Sequence, residues 1–499
     1  MPPNDHEHGL VAYRYMWLLL VPYYAAGAFL SLLAMYRLVL TVLYLRRPDT
    51  RSAPGLAELP QVTVQLPLFN EALVATRLIN AACSLDYPAH RLQIQVLDDS
   101  TDHTTAMVAA LVETWSQRGV QVEHVRREER TGFKAGALQA AMSAASGEFI
   151  AIFDADFVPQ HDFLQRALSA FDSPQVGMVQ TRWGHLNRGH SLLTRAQAVL
   201  LDGHFVVEQT ARAAHGRFMN FNGTAGVWRA EAIRDAGGWS HDTLTEDLDL
   251  SYRAQLRGWR FVYLVDVESP GEIPPDLSGF KSQQYRWAKG SIECLTKLAP
   301  AVLRADRSLL VRGEGLLHLM ANMGYVAVMV LVLTLPFVAS FRTRVELPLT
   351  VWLDTLLFAS GALSLLTFYG VSSRATGSRW YDGLATALWA MMVDVGMSLH
   401  KSRAVIDALR RRRTAFVRTP KHGQTATSHT TLPNPYVRPA WRDGLPELAV
   451  TGWCTAALVA LLQNPWQSPV PLAFLGFFAL SFGTIGVMAV LDRLRLARA

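Results

Sequence analysis

The chain has 499 residues, half of them apolar, with a formal charge of +6 and three cysteines; that length accommodates one large soluble domain and a second region. The basic excess reads as anchoring at lipid headgroups and not as a nucleic-acid surface. Cys83, Cys294 and Cys454 are widely separated and show no C-x-x-C spacing, so neither a disulfide framework nor a zinc site is indicated, which fits a reducing compartment.

In chain order, the first element is the apolar run Met16 to Leu45, longer than the ~20 mostly apolar residues a membrane helix needs. It is too long for the core of a cleaved signal and lacks a clear small-residue cleavage site, so residues 1–50 read as a transmembrane helix. From Arg51 to about Leu310 the composition is that of a soluble α/β domain. Val62 to Leu66, Gln93 to Leu97, Val120 to Val125 and Phe149 to Phe153 read as strands, separated by helical stretches such as Glu71 to Leu85 and Thr104 to Arg118. This alternation predicts a mostly parallel sheet, in which ligands bind at the carboxyl ends of the strands. Three of those ends are polar: Asn70 and Glu71, then Asp98, Asp99 and Ser100, then Asp154 and Asp156.

Carboxylates left unpaired near a core are costly. For "DDSTD" a turn or helix cap is a sufficient explanation. After Asp156 the stretch "FVPQHDF" intervenes before any helix, so a cap explains that pair less well. Two carboxylates around one residue can share a hard cation, and Mg²⁺ typically takes one or two of them and leaves its other positions to water and phosphate. Downstream, "FMNFNGTAGVWR" carries Asn222, Gly223 and Thr224, suited to close approach of a sugar or to a plain turn. Glu246, Asp247 and Asp249 open a helix that runs to about Arg257, where acids are also ordinary dipole partners. "KSQQYRWAKG" brings Gln283, Gln284, Arg286 and Trp287 together. Arg pairs with phosphate oxygens, and Trp287 can stack on a sugar ring or anchor at a membrane interface.

Four further apolar runs follow, Leu316 to Phe341, Leu347 to Val371, Leu448 to Leu462 and Val470 to Leu491. A sixth candidate, Trp380 to Arg413, contains Asp382, Asp394, His400, Lys401 and Arg403 ahead of four consecutive arginines. Laying it along the surface leaves five spans and puts the basic clusters on one side, apart from Arg342 and Arg344, as the positive-inside bias requires. The N-terminus is then outside and the 51–310 domain cytoplasmic.

The aspartate pair Asp98/Asp99, Asp154-Ala155-Asp156, Thr245-Glu246-Asp247 and Gln283-Gln284-Tyr285-Arg286-Trp287, in this order before membrane helices, resemble the processive family-2 glycosyltransferases. These are the cellulose-synthase-like enzymes, and the likeness is closest to their mannan and glucomannan synthase branch. It spans roughly residues 60 to 425. The resemblance implies a GT-A (Rossmann-like) cytosolic domain inserted between transmembrane helices. It also implies an inverting transfer of a hexose from a UDP- or GDP-sugar to a growing β-linked polysaccharide, the alternative being one sugar passed to a membrane lipid. Glu71, Asp98, Asp99, Lys134 of "TGFKAGAL", Asp154, Gln283 and Arg286 would bind the nucleotide sugar. Asp154 and Asp156 would hold Mg²⁺ or Mn²⁺. Asp247 would be the base, with Glu246 its rival, and Trp287, Asn222, Gly223 and Thr224 would meet the acceptor. Within 311–499, residues 380–425 would form an interfacial helix and a gating-like loop, "FVRTPK", in which Arg418 stands at the family's valine position. The setting would be an inner or plasma membrane, with no nucleic acid involved.

Overall fold

The computed structural model describes residues 5–48, 58–342, 348–377, 380–412, 414, 418–424, 444–463 and 469–496. Seven strands form one sheet: β1 (Val62–Leu68), β2 (Leu92–Asp98), β3 (Val122–Val125), β4 (Phe149–Ile152), β5 (Val176–His185), β6 (Gly226–Arg229) and β7 (Arg260–Gly271). Their spatial order is β3-β2-β1-β4-β6-β5-β7. All pairs are parallel except those of β6, which runs antiparallel to β4 and β5. The four strands expected from the sequence are present within a few residues of their expected limits.

β1 and β2 are buried along their whole length, as parallel strands covered on both faces are. They nevertheless carry Thr63, Gln65, Gln93 and Gln95. The parallel register sets these opposite one another, so Thr63 Oγ1 donates to Gln93 Oε1 at 2.8 Å and Gln65 Nε2 to Gln95 Oε1 at 3.1 Å. Buried amides are tolerated when they find such partners. One face of the sheet packs Val64, Leu66, Leu78, Ile94 and Phe163, and the other packs Leu138, Ile150, Phe221, Trp228 and Phe261.

The register also sets Leu68 beside Asp98 and Gln65 beside Ile152, which gathers the polar ends of β1, β2 and β4 on one edge. Asn70 turns away from β1 with a φ of 52°, an uncommon conformation for a residue with a side chain. It is held there by Ser100 Oγ, which accepts its N–H at 2.8 Å, and by Thr101, whose N–H reaches its Oδ1 at 2.8 Å.

Among the described residues, five helices are long and apolar enough to cross a membrane: Trp17–Leu45, Met323–Phe341, Trp352–Ala375, Leu445–Leu462 and Pro469–Leu494. The second begins later than the sequence run did, because the chain breaks between the helices Leu309–Met320 and Met323–Arg342. The stretch from Trp380 forms two helices, Trp380–Gly396 and Ser398–Leu409, and neither is among the five. Helix Leu277–Arg304 connects the sheet domain to these segments. Its Leu277 and Phe280 pack into one cluster with Phe368, Tyr369, Met397 and Ile485. Of the loop "FVRTPK", Phe416 and Val417 lie outside the described residues. With five crossings, labels introduced at Arg410 and after Ala499 are expected on the membrane face that carries the sheet domain. Impermeant-reagent labelling that puts Arg410 on the opposite face would mean that Trp380–Gly396 crosses the bilayer.

Candidate active site

The strand ends build the first half of the site. Asp98 is 1% exposed; its carboxylate accepts the Ser100 N–H at 2.9 Å and lies 3.0 Å from His124 Nε2. Burial alone would raise its pKa, but the hydrogen bonds from His124, Ser100 and Thr105 outweigh this and hold it at about 2. Asp99 faces the site and receives both Nε and Nη2 of Arg127. Arg130 lies over the Phe69 ring, 3.3 Å from its centroid.

Past β4, the Asp154 N–H donates to Thr224 Oγ1 at 2.9 Å. The Lys134 ammonium reaches Asp154 Oδ1 at 2.5 Å, the Gly223 carbonyl at 2.8 Å and Glu246 at 3.9 Å. Burial alone would lower the pKa of Lys134; Asp154 and Glu246 instead hold it above its ordinary value. Asp156 pairs through Oδ2 with Lys421, while its Oδ1 is buried with no hydrogen-bond partner. Asp247 stands at the start of helix Glu246–Leu256 with Oδ1 on the Leu248 N–H at 2.8 Å. Burial, and then the neighbouring Glu246, push its carboxyl up to about 7, and burial raises Glu246 as well.

Helix Leu277–Arg304 supplies the opposite wall. Arg286 donates from Nη2 to Thr419 Oγ1 at 2.7 Å and from Nη1 to Ser282 Oγ at 3.2 Å. Burial lowers its pKa to about 10. Gly290 lies where the helix meets the third acidic motif, since a Cβ there would stand 2.5 Å from Thr245.

These groups surround adjoining cavities. One of about 140 Å³ is lined by Lys134, Asp154, Asp156, Asp247, Arg286 and Trp287. A second of about 120 Å³ lies against Phe69, Glu71, Asp99, Arg130 and Arg418. A third of about 290 Å³ starts at Asp247, Asn222, Gln283 and Trp287 and passes Trp183 and His204 toward Tyr325 and Asp394. It shares Arg37, Glu208, His318, Tyr325 and Asp394 with a cavity of about 360 Å³ among the membrane-type helices. Cavities that share lining residues thus stand side by side from the acidic site to the apolar bundle.

Glu71, Asp99, Lys134, Asp154, Asp156, Asn222, Gly223, Glu246, Asp247, Gln283, Arg286 and Trp287 all line these cavities. Asp98 and Thr224 do not: the first braces the end of β2 against His124, and the second is fully buried under Asp154. Sequence reasoning missed Trp183, stacked on Phe205 with centroids 4.7 Å apart, as well as His204 and Arg127. The basic run "HVRREER" after β3 was a signal for the arginine beside Asp99; nothing local marked Trp183. Among the described residues no three Asp, Glu, His or Cys side chains converge as a complete metal-ligand set. The unpartnered Asp156 Oδ1 and the ammonium groups on Asp154 and Asp156 do fit a cation that takes one or two carboxylates and completes its shell elsewhere.

Residues 60–290 match the family model described as glycosyltransferase like family 2, and residues 230–353 that described as cellulose synthase. Glucomannan 4-beta-mannosyltransferase 2 of Arabidopsis thaliana is 42% identical over 281 residues, covering 54% of this chain and 53% of that one. Probable glucomannan 4-beta-mannosyltransferase 7 of Oryza sativa subsp. japonica is 46% identical over 262 residues, 51% of this chain and 45% of that one. The chain spans about half the length of the curated relatives it matches. Among solved structures, mannosyltransferase PcManGT from Pyrobaculum calidifontis, in complex with GDP-Man and Mn²⁺, is similar with a TM-score of 0.54 at 21% identity, over 79% of this chain and 100% of that one. That likeness establishes the GT-A fold of the sheet domain.

Gly223 has a φ of 80°, and a Cβ there would stand 3.0 Å from Asp247 Oδ2 and 3.3 Å from Lys134 Nζ. Gly223→Ala is therefore expected to destabilise the domain by ~1 kcal/mol or more, seen as a lower thermal midpoint. An unchanged midpoint would show that the turn relaxes at no cost.

Proposed function

From a chain that belongs to the cellulose-synthase-like family-2 glycosyltransferases, we propose a membrane-embedded, inverting hexosyltransferase that extends a β-linked polysaccharide. The relatives' names point to mannose as the sugar and a mannan or glucomannan as the product; the solved neighbour's ligand points to GDP-mannose as donor. The observation that carries the reading is the series of adjoining cavities that runs from the one lined by Asp154, Asp247, Arg286 and Trp287 to one among the membrane-type helices. The site faces the cytoplasm of a plasma or inner membrane, where nucleotide sugars are available.

In this reading the nucleotide lies over the ends of β1 and β2, against Glu71 and Asp99, with Asp98 bracing the strand end. Lys134, Gln283 and Arg286 meet the diphosphate. Mg²⁺ or Mn²⁺ held by Asp154 and Asp156 would neutralise charge that develops on the departing nucleoside diphosphate. Trp287 stacks on the acceptor sugar, and Asn222 and Gly223 line its approach, with Thr224 beneath them. Asp247 takes the proton of the attacking hydroxyl. A carboxyl pushed up to about 7 is a stronger base than an ordinary aspartate and releases its proton near neutral pH. Glu246 next to it stays close to Lys134, which leaves Asp247 as the base.

Incubating the purified chain with a panel of nucleotide sugars should release the nucleoside diphosphate fastest from GDP-mannose. Excess chelator should stop release, and added Mn²⁺ should restore it. Full turnover in chelator would remove the cation from the account, and a strong preference for a UDP-sugar would replace the donor.

Asp247→Asn keeps the shape and removes the base, so transfer should fall ~10²–10⁴-fold with donor binding retained. Because the base works only when deprotonated, the wild-type rate should rise with pH through about 7 and fall below it. Near-normal transfer by Asp247→Asn, with loss in Glu246→Gln, would move the role by one residue.

A further inference from the structure

Asp249 opens the same helix as Glu246 and Asp247, yet the proposed reaction gives it no role. It is fully buried and lines none of the cavities described above, a position where a carboxylate needs partners. Its Oδ2 accepts from Arg253 Nε at 2.8 Å, and its Oδ1 stands 2.8 Å from the Lys297 ammonium. Arg253 belongs to the same helix and goes on through Nη2 to the Gly238 carbonyl at 2.9 Å. Lys297 belongs to helix Leu277–Arg304 and also donates to Asp242 Oδ1 at 2.8 Å. Burial alone would lower the pKa of Lys297; Asp242 and Asp249 instead hold it above its ordinary value, so the ammonium stays charged. Arg286, Gly290, Glu293 and Lys297 follow one another at spacings of four, three and four residues, which sets them on one face of their helix. Along that face Arg286 lines the site, Gly290 fits beneath Thr245, and Glu293 Oε2 accepts the Leu244 N–H at 2.8 Å. Lys297 then takes both ends of the segment, Asp242 and Asp249. The stretch that carries Asp247 is therefore seated on the helix that carries Arg286.

We propose that Lys297 is a positioning residue that sets where Asp247 stands relative to Arg286: by holding Asp242 and Asp249 it fixes the helix start that bears the base to the helix that meets the donor diphosphate. This rests on the reading of Asp247 as base and of Arg286 as a diphosphate contact. Asp247 keeps its Oδ1 on the Leu248 N–H at 2.8 Å, so its carboxylate moves with the start of helix Glu246–Leu256. Without the ammonium, Asp249 keeps Arg253 within its own helix, but it loses its tie to the neighbouring one. Lys134, Gln283 and Arg286 do not touch Lys297, and the donor keeps its contacts. A displacement of about 1 Å between reacting groups lowers a rate by ~10²-fold.

The test uses the full chain in detergent, with GDP-mannose and Mn²⁺, and compares wild type with Lys297→Met, Lys297→Arg and Asp242→Asn. In Lys297→Met, kcat for transfer should fall ~10–10²-fold while KM for the donor stays within about twofold of wild type. Lys297→Arg, which keeps a cation between the two carboxylates, should recover most of the loss. Asp242→Asn removes the more exposed partner and should show a smaller loss with the same split; if Lys297→Met does not fold, it carries the comparison. An unchanged kcat in Lys297→Met, or a raised donor KM with kcat intact, would overturn the proposal. A wild type that turns over no nucleotide sugar, or an Asp247→Asn variant that transfers normally, would instead locate the failure in the reading of the site. Amide exchange at Leu248 and Asp249 then decides the tether: faster exchange in Lys297→Met upholds it, and unchanged exchange overturns it.

Discussion

The site is organised around one partly buried cation. Lys134 sits among carboxylates from separate parts of the chain, in contact with Asp154 after β4 and the Gly223 carbonyl before β6, and 3.9 Å from Glu246. Brought together without it, Asp154, Glu246 and Asp247 would repel one another at close range in a medium of low dielectric, and their protons would be retained. With it, the acidic motifs share one opening, and Asp247, which has no direct contact with the ammonium, keeps a carboxyl near neutral pH. In the proposed reaction a donor diphosphate would bring further negative charge to the same place, where Arg286 and a divalent cation would offset it.

Much of this was legible in the sequence because it is local. β4 ends in an apolar run followed at once by Asp154 and Asp156, so strand, strand end and carboxylate pair lie within eight residues of "IAIFDADF". Glu246 and Asp247 open a helix within one motif, and the helix carrying Arg286 and Trp287 keeps them one turn from Gln283. The acidic residue pair after β2 was only half legible. Asp98 and Asp99 are adjacent in sequence but point to different partners, His124 and Arg127. That division depends on β3 pairing beside β2, which no local pattern reveals.

The same limit explains the antiparallel β6, set between β4 and β5 by long connections, and the wall of the third cavity. Trp183 comes from β5 and His204 from a single π-type turn, Gly203–Glu208. Such turns redirect side chains where function requires it, and their sequences carry no distinctive mark. His204 meets Asn222 at 3.0 Å and Glu208 at 3.1 Å, so the residue pair read as a plain turn or a sugar contact is fastened to the bundle side of the opening. The helix break near Asn322, inside what reads as one apolar run, falls at this wall as well.

In the proposed reaction the acidic site and the cavity among the membrane-type helices serve one growing chain. The length of the product formed by the purified protein in lipid vesicles from labelled GDP-mannose tests it most directly. The account gives β-linked chains of many sugars, measured by mass spectrometry after release. A product limited to one sugar on a lipid would contradict it, and the cavity among the helices would then need another occupant.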